Sequence, residues 1–152
     1  MSDIERSFVM VKPDAVKRRL IGDIISRLEK VGLRIVAMRM LQLTKAMAEE
    51  HYAIHKDKPF FDGLVKFISS GPVIAMVVEG KDAVKRVRKL AGATKPMEAE
   101  VGTIRGDLAM EIGRNVVHAA DSPENAKIEY SIYFKASDFV KNPMLDEDWV
   151  YE

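Results

Sequence analysis

The sequence predicts an α/β protein, specifically an α+β sandwich of βαββαβ plan. Its four strands form an antiparallel sheet, with covering helices on one face. Three observations predict it. Short apolar runs bounded by Pro, Gly and Asp alternate with stretches whose apolar residues recur every three or four positions. These segments follow the order strand, helix, strand, helices, strand, helix, strand, which is two split βαβ units. No repeat or low-complexity linker divides the 152 residues, so one domain spanning 1–152 is expected.

Residues 7–11 (Ser-Phe-Val-Met-Val) read as the first strand. Lys12, Pro13 and Asp14 stop it, because proline cannot donate to a sheet ladder. Residues 21–31 read as a helix, with Ile21, Ile24, Ile25, Leu28 and Val31 on one face and Gly32 as the stop. Residues 34–43 are a second apolar strand. Thr44 is an N-cap for a helix from Lys45 to about His55, broken by Lys56, Asp57, Lys58 and Pro59. Phe61, Leu64, Val65 and Ile68 make another helical stripe, closed by Ser70, Gly71 and Pro72.

The continuous apolar run 73–78 has strand length and reads as buried. Residues 81–91 form a helix with Gly92 just past its end. Residues 93–114 show no period and read as a long structured loop, a feature that usually serves function. Residues 115–118 are a short strand. Ser122 caps a helix that has Pro123 at its first position. The polar tail, residues 142–152, has to dock on the body if it is ordered.

Composition removes several function classes. Hydrophobic residues at 47% and charged residues at 31% are an ordinary globular balance. The formal charge of +1 gives no global attraction for nucleic acid or anionic membrane. With no cysteine, disulfide frameworks, thiolate zinc sites and cysteine nucleophiles are excluded. Charges near the N-terminus interrupt any signal-peptide core, and no apolar run is long enough to cross a bilayer, so a cytoplasmic protein is expected.

The chain has neither a P-loop nor a G-x-G-x-x-G fingerprint, so phosphate binding would have to use side chains. His51 and His55 stand four apart, but Tyr52 replaces the Glu of a zincin and no third ligand stands out. They read as a polar helix surface. Arg88 lies at the rim of the apolar stripe Val84, Val87 and Ala91. There it snorkels, or pairs with a carboxylate or phosphate. Lys17-Arg18-Arg19 and the basic run 85–89 are solvated faces. Without an aromatic-rich strand for stacking bases, a nucleic-acid role is not expected. Thr94, Arg105 and Asn115 can converge from the long loop. His118 ends an apolar strand just after that loop. Read from the residues alone, it is either a packing residue or a phosphate-handling nucleophile.

These pieces together resemble nucleoside diphosphate kinases along essentially the whole chain. The matching residues are Lys12-Pro13-Asp14, Tyr52, Lys58 to Phe61 with Leu64, Ser70 to Val73, Thr94-Lys95-Pro96, Gly102 to Asp107, Gly113 to His118, Asp121-Ser122 and Trp149 to Glu152. The resemblance implies the ferredoxin-like βαββαβ sandwich and transfer of a γ-phosphoryl group from a nucleoside triphosphate to a nucleoside diphosphate. It implies a ping-pong cycle through a phosphohistidine on His118, with Tyr52 beside the imidazole and Glu129 orienting it. Lys12, Arg88, Thr94, Arg105 and Asn115 would bind phosphates and sugar. Phe60, Leu64 and Ile112 would hold the base, and stacking would tolerate any base.

Mg²⁺ would travel on the nucleotide phosphates rather than in a protein cage. The family forms hexamers or tetramers from a shared dimer. The loop around Pro96 and the tail ending Tyr151-Glu152 imply the hexamer. Two departures stand out. Ala119-Ala120-Asp121 replaces the frequent Gly-Ser-Asp, removing a hydroxyl from the His118 and Glu129 cluster and predicting slower transfer. Lys58 stands where Arg is frequent. The alternative reading is a nucleotide-binding regulatory protein of the same fold, weak in catalysis because of Ala120.

Overall fold

The computed structural model describes residues 4–152. Its centre is a four-stranded antiparallel sheet in the order β2-β3-β1-β4. The strands are β1 (Ile4–Val11), β2 (Arg34–Gln42), β3 (Pro72–Lys81) and β4 (Val117–Ala119). The helices are α1 (Pro13–Lys17), α2 (Ile21–Lys30), α3 (Lys45–His51), α4 (Phe61–Ile68), α5 (Ala83–Ala91), α6 (Ile104–Leu108), α7 (Pro123–Tyr133) and α8 (Glu147–Val150). The βαββαβ order is therefore present, with extra helices in its connections.

Helices cover both faces of the sheet, not the single face that the element order predicts. The period-2 alternation of a strand splits each apolar run between two cores. Phe8, Met10, Val73, Ala75 and Val77 pack with Ala48, Tyr52, Val65, Ile68, Ala126 and Tyr133, under α3, α4 and α7. Val9, Val11, Ile74, Met76 and Val78 pack with Ala15, Ile24, Leu28, Val87 and Ile104, under α1, α2, α5 and α6. The unbroken apolar run of β3 is the sequence signature of a strand buried on both sides. A register shift between Ile35 and Ala37 lets Val36 and Ala37 both face the first core.

Element boundaries differ from the sequence reading in instructive places. Pro13 starts α1 rather than merely ending β1, since proline suits the first helical position. The helix beginning at Thr44 ends at His51, and residues 53–55 make a separate 3-10 turn. Residues 93–114 contain α6 and two 3-10 turns, Pro96–Glu98 and Ile112–Arg114. The tail does dock. Just before it Val140 N–H donates to Val36 O at 2.9 Å, and within it Asn142 Nδ2 donates to Ile35 O at 2.9 Å and the Tyr151 hydroxyl accepts from Lys81 N–H at 2.9 Å. Among the described residues no helix is long and apolar enough to cross a membrane.

Candidate active site

The site forms where β4 runs along the edge of the sheet. His118 lies opposite Met10 of β1 and so faces the first core, while Val117 and Ala119 face the second. Ser122 caps α7 by accepting from Asn125 N–H at 3.1 Å, and Pro123 fixes the first turn. The helix then brings Glu129 Oε1 to 2.8 Å from His118 Nε2.

A second imidazole supports the first. The His51 and His118 rings meet edge to face, with centroids 4.6 Å apart. Tyr52 packs edge-on against His51 at 4.8 Å, and His51 Nδ1 lies 3.0 Å from the Tyr133 hydroxyl. Burial pushes the Tyr133 hydroxyl far above its ordinary value, so it stays protonated beside Nδ1. His51 Nε2 is buried without a hydrogen-bond partner. His51 is thus interior rather than part of a polar surface. The helical spacing Ala48, His51, Tyr52 was the available signal, since all three are buried.

The cations come from the other side. Lys12 follows β1, and its Nζ donates to Asn115 Oδ1 at 2.8 Å. Asn115 Nδ2 donates to Thr94 O at 3.1 Å, which ties the exposed Thr94 segment to the site. Between Asn115 and β4, Val116 adopts φ 63°, which is rare for a β-branched residue. Val117 N–H reaches Asn115 O at 2.8 Å across it, closing a γ-turn of the strained hand. Asp14 Oδ2 accepts from Val116 N–H at 3.1 Å, and Lys12 N–H donates to Val116 O at 3.0 Å. The strained turn is therefore pinned on both its polar groups.

Two arginines reach round the free edge of β4. Arg88 of α5 is exposed and donates to Ala119 O at 3.3 Å. Arg105 of α6 is only 5% exposed and donates to Val117 O at 2.7 Å, Gly92 O at 2.9 Å and Asn115 O at 3.3 Å. Gly92 has φ 84°, and a side chain there would strike Thr103. Gly106 follows Arg105 because a Cβ at that position would collide with Glu100 O.

Phe60, at the start of α4, and Ile112 are half exposed, at 50% and 54%. Leu64 lies one turn along from Phe60 and is partly buried against the first core. The Arg114 guanidinium sits 4.3 Å over the Phe67 ring, joining the turn that carries Ile112 to the helix that carries Leu64.

The electrostatics follow from this placement. Burial first, then Lys12, Arg105 and Arg88, lower His118 to about 3, so its imidazole is neutral at physiological pH. The side chain is still 21% exposed, so water and ligands reach the ring. Burial raises Glu129 to about 7. As a carboxylate it accepts from Nε2–H, which leaves the Nδ1 lone pair available. Burial, then Arg105, lower Lys12 to about 8, and burial, then Arg88, lower Arg105 to about 10. Both remain cationic at neutrality. A neutral nucleophilic ring beside three cations suits attack on an anionic centre. Among the described residues no cluster of three or more His, Asp or Glu is placed to hold a metal ion.

Comparison with known proteins gives the family. The family model described as nucleoside diphosphate kinase matches residues 5–139. A nucleoside diphosphate kinase of Archaeoglobus fulgidus is 59% identical over 149 residues, covering 98% of this chain and 99% of that one. One from Methanothermobacter thermautotrophicus is 56% identical over 149 residues, with 98% and 99% coverage. The solved structure of a halophilic nucleoside diphosphate kinase from Halobacterium salinarum, in complex with CDP, is 49% identical. It superposes with a TM-score of 0.94 and covers 97% of this chain and 99% of its own. The chain therefore belongs to the nucleoside diphosphate kinase family and is an enzyme of that type.

Proposed function

We propose that the chain moves the γ-phosphoryl group of a nucleoside triphosphate to a nucleoside diphosphate in two half-reactions at His118. The observation that carries this reading is the 2.8 Å contact between His118 Nε2 and Glu129, which commits one ring nitrogen and frees the other. The Nδ1 lone pair attacks the γ-phosphorus. The bond from phosphorus to the bridging oxygen breaks, and its electron pair leaves with the nucleoside diphosphate. The phosphorylated ring becomes cationic, and the Glu129 carboxylate balances that charge through Nε2–H. A second nucleoside diphosphate then attacks the same phosphorus with its terminal oxygen and restores the neutral ring.

Lys12, Arg88 and Arg105 face the charge that spreads over the equatorial oxygens, and Asn115 and Thr94 complete the phosphate and sugar subsite. Tyr52 acts through His51, whose ring it backs. Phe60, Leu64 and Ile112 offer apolar surface to the base and no polar group to read its edges, which supports broad base tolerance. Mg²⁺ enters as part of the nucleotide substrate, bound by phosphate oxygens. The test is incubation with labelled ATP and Mg²⁺. The protein should acquire one acid-labile, base-stable phosphate and release it to GDP or CDP. Nucleotide binding with no stoichiometric phosphoprotein would instead favour a regulatory role.

The charges set a pH profile. In the free enzyme, kcat/KM rises as Glu129 ionises through about 7 and falls as Lys12 loses its proton through about 8. Rate measurements on Glu129→Gln should lack the enzyme's acid limb, and Lys12→Arg should lack the alkaline one. Limbs that persist in both variants would assign the titration to the nucleotide.

Ala120, two residues after His118, is fully buried in the first core. A hydroxyl there, in Ala120→Ser, should raise the single-turnover phosphorylation rate by roughly fivefold, the worth of about one hydrogen bond. An unchanged rate removes Ala120 as a brake.

We further propose a cytoplasmic homo-oligomer built from this one domain, a hexamer in preference to a tetramer. Edge strand β2 leaves Met38 and Met40 at 52% and 57% exposure. The 93–114 segment leaves Met97, Val101 and Met110 more than four-fifths exposed. Both are apolar surfaces that further subunits would cover. A monomer in sedimentation equilibrium would refute this.

A further inference from the structure

Arg105 enters the site from α6, a five-residue helix too short to fix its own position. Two arginines from the opposite segment hold that helix. Arg18, just after α1, donates to Leu108 O at 2.6 Å, at the far end of α6. Arg27 of α2 holds the near end. Its Nη1 reaches Asp107 Oδ2 at 2.7 Å, Gly102 O at 3.2 Å and Thr103 O at 3.4 Å. Its Nε is bound to Asp23 Oδ1 at 2.6 Å, which aims the fork. Asp107 closes the loop on itself, because Oδ1 accepts from Gly102 N–H at 2.8 Å.

We propose that Arg27 is a positioning residue for phosphoryl transfer: by clamping Gly102 to Asp107 onto α2, it sets where Arg105 stands against β4. The proposal rests on the reading of Arg105 as a phosphate-binding group. An exposed helical pair such as Arg27 with Asp23 does little by itself. The contacts that matter cross from α2 to the segment 102–107, and they include two backbone carbonyls that a single planar guanidinium reaches together with a carboxylate. All three converge on Nη1 while Nε stays on Asp23, and an ammonium has no second nitrogen with which to hold both sides. Arg105 in turn bonds carbonyls at Gly92, Asn115 and Val117, so a shift of α6 disturbs three segments of the site at once.

The experiment measures phosphorylation of His118 by ATP and Mg²⁺ in rapid mixing, over a range of ATP concentrations, with thermal unfolding alongside. Arg27→Ala should lower kcat/KM roughly ten- to a hundredfold, as expected for displacing a substrate-positioning group by about an ångström. Asp107→Asn breaks the clamp from the other side while leaving an acceptor for Gly102 N–H. It should fall in the same direction, and the double variant should be no worse than Arg27→Ala. Asp23→Asn removes the charge of the helical pair but keeps an Oδ1 acceptor that aims Nε, leaves the loop untouched, and should keep wild-type kinetics.

A wild-type kcat/KM in folded Arg27→Ala overturns the proposal. So does an equal loss in Asp23→Asn. If Arg27→Ala does not fold, Asp107→Asn decides, and wild-type kinetics there overturn it. A wild-type protein that takes no phosphate from ATP defeats the functional reading itself. One that does, with an unaffected Arg27→Ala, defeats only the clamp.

Discussion

His118→Ala should leave a folded protein that cannot retain phosphate from ATP, with turnover down by about ten-thousandfold or more. Removing a covalent nucleophile deletes the pathway rather than slowing it, because no neighbouring group replaces it. His51 is the nearest imidazole. However, its Nδ1 is engaged with the Tyr133 hydroxyl, and its Nε2 is buried in the core. Folding should survive. The lost ring is on a three-residue edge strand and is partly exposed. The orphaned Glu129 is raised to about 7 and can take up a proton, which limits the penalty to about 1–3 kcal/mol. Phosphoprotein assay and denaturant titration of the same sample separate the two effects. Stoichiometric phosphate on the variant would move the nucleophile elsewhere.

Arg105→Ala should cost both stability and rate. The guanidinium is buried and spends its donors on three backbone carbonyls from Gly92, Asn115 and Val117. Losing these charge-assisted bonds should destabilise the fold by about 3 kcal/mol or more, read as a lower urea midpoint at unchanged slope. Single-turnover phosphorylation should fall by roughly a hundredfold or more, as when a preorganised donor to transition-state charge is removed. Arg105→Lys should recover little of either, since one ammonium cannot span three carbonyls. A variant with wild-type stability and a normal rate would show that the charge is dispensable.

Much of this arrangement was legible in the residues. The apolar run 73–78, the stripe Ile21 to Leu28 and the pair Ser122-Pro123 each announce their element. What failed to show was anything set by tertiary context. The segment 104–108 forms a helix with only Ile104 buried deeply in the core and a glycine at its centre, so no period could emerge. His51 is polar by residue type, and only the stripe it shares with Ala48 and Tyr52 marks it as interior. Strand order is not written in periodicity, so nothing in the sequence placed β4 at the border of the sheet. That placement is what lets groups from both faces meet at one imidazole.

The same border carries a hazard. A terminal strand offers unpaired carbonyls on which a foreign strand can build, and proteins commonly guard such rims with charge. Here the outward carbonyls of Val117 and Ala119 are already taken by Arg105 and Arg88. The side chains that would meet phosphate therefore also deny that rim to neighbouring molecules. Stripping both positive groups would do more than silence the enzyme. It would uncover a docking rail for misassembly, so selection for solubility alone would tend to keep them.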